Sequence, residues 1–200
     1  GFADFQIVFV GYQNVYSSYS EEMKFYQGTG QKEDNLLRKK KARYDKEGNL
    51  IHLDQYYGHG SGDYGRTEWH YDQYGNLISV IDPTGHSVEY SYGKHNQFIE
   101  EISSGKTGDN VRYTTLFTWD YRQGKEKSRT DRAGQTIDYL YDQWGRIKEI
   151  RSPYDKGETP ALSHEYLTGT YPWKTLSRNK ISHDSQNRDT VDTLITIDGL

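Results

Sequence analysis

The sequence predicts an all-β protein, a meander of antiparallel hairpins, and three observations carry that expectation. A turn-forming phrase recurs along the chain, the stretches between its copies alternate with a period of two, and the apolar content is aromatic rather than aliphatic.

Two hundred residues suffice for one domain with a core or for two small ones. Only 32% of them are hydrophobic and 27% are charged, so aliphatic side chains alone would build a poor core. The 19 Tyr, 4 Trp and 6 Phe supply the missing area, and the core is expected to be aromatic. Disordered chains are depleted in such residues, which excludes disorder for most of this one.

The phrase reads aromatic, Asp, two variable residues, Gly, Asn or Arg, aliphatic. Its full copies are Tyr44-Asp45-Lys46-Glu47-Gly48-Asn49-Leu50, Tyr71-Asp72-Gln73-Tyr74-Gly75-Asn76-Leu77 and Tyr141-Asp142-Gln143-Trp144-Gly145-Arg146-Ile147. Shorter copies keep Asp82 with Gly85 and Asp131 with Gly134, and Tyr92-Gly93-Lys94-His95-Asn96 places Asn where Gly is expected. Asp at the first turn position accepts a hydrogen bond from the backbone N–H two residues on, the next two residues fit a type I turn, and Gly takes the left-handed position that opens a bulge. Asn96 replaces Gly because Asn tolerates positive φ, and Pro83 suits the first central position of its turn.

Between the turns, Val111, Tyr113, Thr115, Phe117 and Trp119 fall on one face, with Arg112, Thr114, Thr118 and Asp120 on the other. Val88, Tyr90 and Tyr92 repeat the pattern, as do Ile137, Tyr139 and Tyr141, and Trp69 with Tyr71. A helical reading fails because aromatic and β-branched residues dominate and Gly recurs too often. The tyrosines are therefore read as packing rungs across neighbouring strands.

Zero Cys excludes disulfides, thiol catalysis and Cys-ligated metal, and a net charge of -4 gives no global attraction to nucleic acid. No run is apolar enough to span a bilayer as a helix, and with its start at Gly1-Phe2-Ala3-Asp4 the chain is expected to be a fragment.

These residues resemble the YD repeats of the RHS family, found in large bacterial secreted and surface proteins. Gly1-Phe2, Phe25-Tyr26-Gln27-Gly28 and Asn35-Leu36-Leu37-Arg38-Lys39 are similar to the lead-in of the B component of insecticidal toxin complexes and related virulence-plasmid proteins. Tyr171-Pro172-Trp173, Asp189-Thr190-Val191-Asp192-Thr193 and Ile197-Asp198-Gly199-Leu200 resemble the strip further along the same proteins. The resemblance implies a curved strip forming part of a hollow β-shell, secreted or at the bacterial cell surface. Its partners would be other parts of the same shell or toxin-complex subunits, with self-association through open strand edges. Three segments are expected in one continuous β-domain: lead-in strands at 1–43, YD-repeat hairpins at 44–156, and an irregular strip at 157–200 with its longest loops within 157–187.

A structural role leaves no catalytic residue to name, and neither a cofactor nor a metal is expected. The 7 His lack HxH or HExxH spacing. Gly60-Ser61-Gly62-Asp63-Tyr64-Gly65 spells a dinucleotide fingerprint, but the residues after it read as a strand, which makes it a loop. Asp82-Pro83-Thr84-Gly85 resembles the start of the autoprotease word of some RHS shells, yet His86 stands where a large apolar residue belongs. The basic run Arg38–Lys41 with Arg43 is read as a charged, solvated strand entry rather than a phosphate contact. His52 and Asp54 share one strand face and are read as solvated. The rival function is a carbohydrate-binding β module, with Tyr56, Tyr57, Trp144 and Trp173 as candidate stacking residues.

Overall fold

The computed structural model describes residues 5–11, 20–28, 36–57, 63–106, 108, 110–155, 159–181 and 189–197. They form fifteen strands: β1 (Phe5–Gly11), β2 (Ser20–Gln27), β3 (Leu36–Tyr44), β4 (Leu50–Tyr56), β5 (Tyr64–Tyr71), β6 (Leu77–Ile81), β7 (His86–Tyr92), β8 (Ile99–Lys106), β9 (Arg112–Asp120), β10 (Lys125–Thr130), β11 (Thr136–Tyr141), β12 (Ile147–Arg151), β13 (Leu162–Leu167), β14 (Trp173–Lys180) and β15 (Thr190–Ile197). Strand order is chain order and every recorded pairing is antiparallel, so the fold is an all-β antiparallel meander. The chain divides into two compact units, Gly1–Gln97 with Ile102–Tyr113, and Phe98–Glu101 with Thr114–Leu200.

In the first unit, register places Trp69 opposite Val80 and Val80 opposite Val88, which builds an aromatic and aliphatic face. The reverse face carries His52 opposite Glu68, and Lys41, Asp54 and Arg66 in one row. The second unit repeats this contrast. Phe117, Arg129 and Ile137 share one face, as do Tyr139, Ile150 and Leu162, while Ser128 and Asp138 lie on the other.

The expected aromatic core takes a different form. Among the described residues no large apolar residue is fully buried, and the most enclosed apolar ones are Tyr26, Leu36 and Ala42 in β2 and β3. Both faces of a strand consequently stay partly wet. Along β9, Phe117 and Trp119 are half-buried, whereas Tyr113 is 46% exposed on the same face. Alternation reports which side of a strand a residue occupies, and only a second layer would bury that side completely.

The stretch expected to be irregular is ordered where it is described. Leu162–Leu167 pairs with Trp173–Lys180 over six residues, and β14 pairs with β15 over eight. Pro160 and Pro172 stand just before β13 and β14, where a missing N–H costs no ladder bond, so they mark strand starts. Residues 58–62, which hold the first half of the Gly-rich fingerprint, lie outside the described residues, and its last two residues, Tyr64 and Gly65, already belong to β5.

Candidate functional site: the turns, their aromatic ties and an inter-turn groove

Each turn is built around its Asp. The N–H of Gly48, Gly75, Gly85, Gly134 and Gly145 donates to the carbonyl of Asp45, Asp72, Asp82, Asp131 and Asp142 respectively. Those glycines have φ between 74° and 92°, and Asn96 has φ 52°. Oδ1 of Asp72 accepts the N–H of Tyr74 and of Asn76, and Asp82, Asp131 and Asp142 accept the corresponding pair.

The structure adds a role for the sixth position of the phrase. Asn49 and Asn76 donate from Nδ2 to Oδ2 of Asp45 and Asp72, and Arg146 Nε does the same to Asp142 at 2.7 Å. Partial burial alone would raise the carboxyls of Asp45, Asp72 and Asp142, but these hydrogen bonds hold all three below the usual carboxylate value. A further turn escaped the sequence reading because it is one residue longer. Gly124, at φ 64°, donates to the Asp120 carbonyl, and Asp120 Oδ1 accepts the N–H of Arg122 and Gln123.

The repeated aromatic is a polar tie as well as a packing rung. Tyr44 pairs with Leu50 but Arg43 with His52, so Ile51 is an extra, bulged residue; Ile78, Lys127 and Lys148 are bulged in the same way. The carbonyl just before each bulge accepts a tyrosine hydroxyl from the following hairpin: Tyr71 to Leu50, Tyr92 to Leu77, Tyr141 to Glu126 and Tyr166 to Ile147, at 2.8–3.1 Å. Trp119 stands in the same role, its Nε1 donating to Ile99 at 2.8 Å while its ring stacks on Phe98 with centroids 4.8 Å apart. Burial, and then the neighbouring carboxylates of Asp45 and Asp72, push the hydroxyls of Tyr71 and Tyr92 up.

Between the first two full turns lies a groove of about 760 Å³ in the first unit. Its walls include Asp45, Glu47, Asp72, Trp69, Tyr71 and Tyr74. A smaller groove of about 410 Å³ in the second unit is lined by Asp142, Arg146, Tyr166 and His164 among others.

The candidate stacking residues part company. Tyr56 is half-buried, 5.4 Å from Tyr64 and covered by Lys39 at 4.7 Å. Tyr57, Trp144 and Trp173 are exposed, Trp144 at 74% on a turn. In the basic run, Lys39 and Lys41 lie 3.4 and 3.9 Å from Glu22, and Arg38 covers Phe25. Asp54 is engaged by Arg66 through two hydrogen bonds of 2.7 and 2.9 Å rather than left to solvent. His52 lies 3.8 Å from Glu68. Asp82, Thr84 and His86 form a hydrogen-bonded turn, with Thr84 Oγ1 2.7 Å from Asp82 Oδ1 and 2.6 Å from His86 Nδ1. Among the described residues no group of three or more His, Asp or Glu is placed to hold a metal ion, and no helix is long and apolar enough to cross a membrane.

These features define a class, the antiparallel meander of tied, repeated hairpins. No protein-family model matches the sequence, and no curated protein matches it. Among solved structures the chain is similar to part of the crystal structure of TcdB2-TccC3-TEV, with TM-score 0.44 and 12% identity over 89% of this chain and 11% of that one. It is likewise similar to part of TcdB2-TccC3-Cdc42, with TM-score 0.43 and 11% identity over 96% of this chain. The chain thus spans about one ninth, 11%, of either structure's length.

Proposed function

We propose that the chain is a structural segment of a bacterial RHS/YD-repeat protein, contributing consecutive hairpins to the wall of a shell that encloses or displays a toxin or other effector. The observation that carries this reading is the aromatic tie, in which four tyrosine hydroxyls fasten a hairpin to the one before it by reaching the carbonyl at a bulge, and the Trp119 indole makes a comparable bond to Ile99. Such repetition stiffens a sheet and commits the Asp carboxylates and the tyrosine hydroxyls to structure. On this reading the chain is not an enzyme and works secreted or at the cell surface, beside other parts of the shell or toxin-complex subunits. The test is limited proteolysis of the longer polypeptide that carries this stretch. Gly75→Val and Gly145→Val should expose the enclosed effector to protease; equal protection in both variants, or turnover of a substrate by the isolated chain, overturns the proposal.

Exposed Trp144 and Trp173 favour one second reading, a carbohydrate-binding module. A glycan array followed by calorimetry decides it: a specific ligand lost on Trp144→Ala or Trp173→Ala would establish it, and a blank array would remove it.

A further inference from the structure

Two sites in this chain share one framework and differ in the residue that follows the turn glycine. In the second unit, Tyr166 ties to Ile147, and Arg146 bonds Asp142 through Nε and Nη2, both at 2.7 Å. The guanidinium of Arg146 lies 3.9 Å from the centre of the Tyr166 ring, a cation–π contact that also faces a carboxylate. In the first unit, Tyr71 ties to Leu50 and Asp45 stands where Asp142 stands, but the sixth position is Asn49. Asn49 donates to both oxygens of Asp45, from its backbone N–H to Oδ1 and from Nδ2 to Oδ2, but brings no charge. Neither Lys nor Arg lines the groove there, while Asp45, Glu47 and Asp72 do, beside Trp69, Tyr71 and Tyr74.

We propose that the groove between the 45–49 and 72–76 turns binds a guanidinium group from outside the chain, at the place that Arg146 fills for itself in the second unit. The hydrogen bonds within the turns keep Asp45 and Asp72 ionised well into the acid range, so the groove stays anionic at neutral pH. The groove's size is that of a small-molecule or side-chain site. Aromatic faces beside fixed carboxylates favour a flat, weakly hydrated cation over a compact, strongly hydrated ammonium.

The test is an NMR titration at low salt, following the Trp69 indole N–H with methylguanidinium, N-acetylarginine amide and the uncharged N-acetylcitrulline amide. Saturable shifts are expected with the two guanidinium probes and none with citrulline; tighter binding of N-acetylarginine amide assigns the site to an arginine side chain, and equal binding to the group alone. Asn49→Arg should supply the missing guanidinium internally and abolish the shifts without lowering the melting temperature. Glu47→Gln, which leaves the hydrogen bonds of the turn intact, should weaken binding about threefold and covers the case in which Asn49→Arg fails to fold. No saturation with either probe, an equal response to citrulline, or undiminished binding in a folded Asn49→Arg overturns the proposal.

Discussion

At Gly75 a β-carbon would meet nothing within 4 Å, yet the backbone sits at φ +84°. The demand for glycine there is conformational, not steric. Gly75→Val should destabilise by about 1–3 kcal/mol, and Gly75→Asn by less, because Asn96 already holds such a position in another turn. Urea unfolding of the two variants reads the difference. Gly105 is the converse case, where an added β-carbon would lie 2.7 Å from the Val111 carbonyl, so alanine itself should be poorly tolerated. Another residue-scale prediction concerns the enclosed pair of Lys180 and Asp155, 3.3 Å apart with side chains 3% and 0% exposed. Burial alone would raise the Asp155 carboxyl, but hydrogen bonds from Ser152 N–H and Lys180 outweigh it and hold the value below 3.8. A depressed native value means the stabilisation is present above the unfolded carboxylate value and is lost as pH falls through the native one. The urea midpoint should therefore drop on acidification below about pH 4, less steeply in Asp155→Asn. Lys180→Ala, which leaves the enclosed carboxylate without its counter-charge, should cost about 3–5 kcal/mol at neutral pH.

At the scale of the hairpin, the tie between a tyrosine and the preceding bulge is the testable unit. Tyr71→Phe, Tyr141→Phe and Tyr166→Phe keep the ring and remove one hydroxyl, and each should lower stability by about 0.5–1.5 kcal/mol. Tyr74→Phe, 65% exposed at a turn, should change almost nothing, and thermal unfolding of the four variants side by side checks both expectations. The turns were legible in the sequence because their requirements are local: Asp72 and Gly75 meet within one short loop, and side-chain chemistry alone explains both. The ties were not, because Tyr71 and Leu50 are 21 residues apart and nothing in the phrase names its acceptor. Trp119 was placed on the correct face, yet its indole donor had no visible destination, and the longer loop after Asp120 hid the turn it precedes. The sixth position of the phrase read only as Asn or Arg. Its bond to the Asp carboxylate, and the contrast between Asn49 and Arg146, required the fold. Pro160 and Pro172, within the 157–187 stretch, stand just before β13 and β14, where their missing N–H interrupts no ladder.

At the scale of the whole chain, β15 is the place where the meander can add a neighbour. Among the described residues it pairs only with β14, and Val191, Leu194, Ile195 and Ile197 are each more than half exposed. A strand with few charges and an open row of backbone donors and acceptors invites pairing. The chain should self-associate with rising concentration in analytical ultracentrifugation, and Leu194→Lys or Thr193→Pro should suppress it; a monomer at all concentrations for the unmodified chain would show that this edge is otherwise protected.

Because Tyr71, Tyr92, Tyr141 and Tyr166 each anchor to the hairpin just upstream, these fastenings join neighbours only. Duplicating a pair of strands, complete with its reversal and its anchor, creates no unmatched surface inside the lattice, only a longer one. A gene built this way can gain or shed length in whole modules, and selection can tune the span without redesigning any single part.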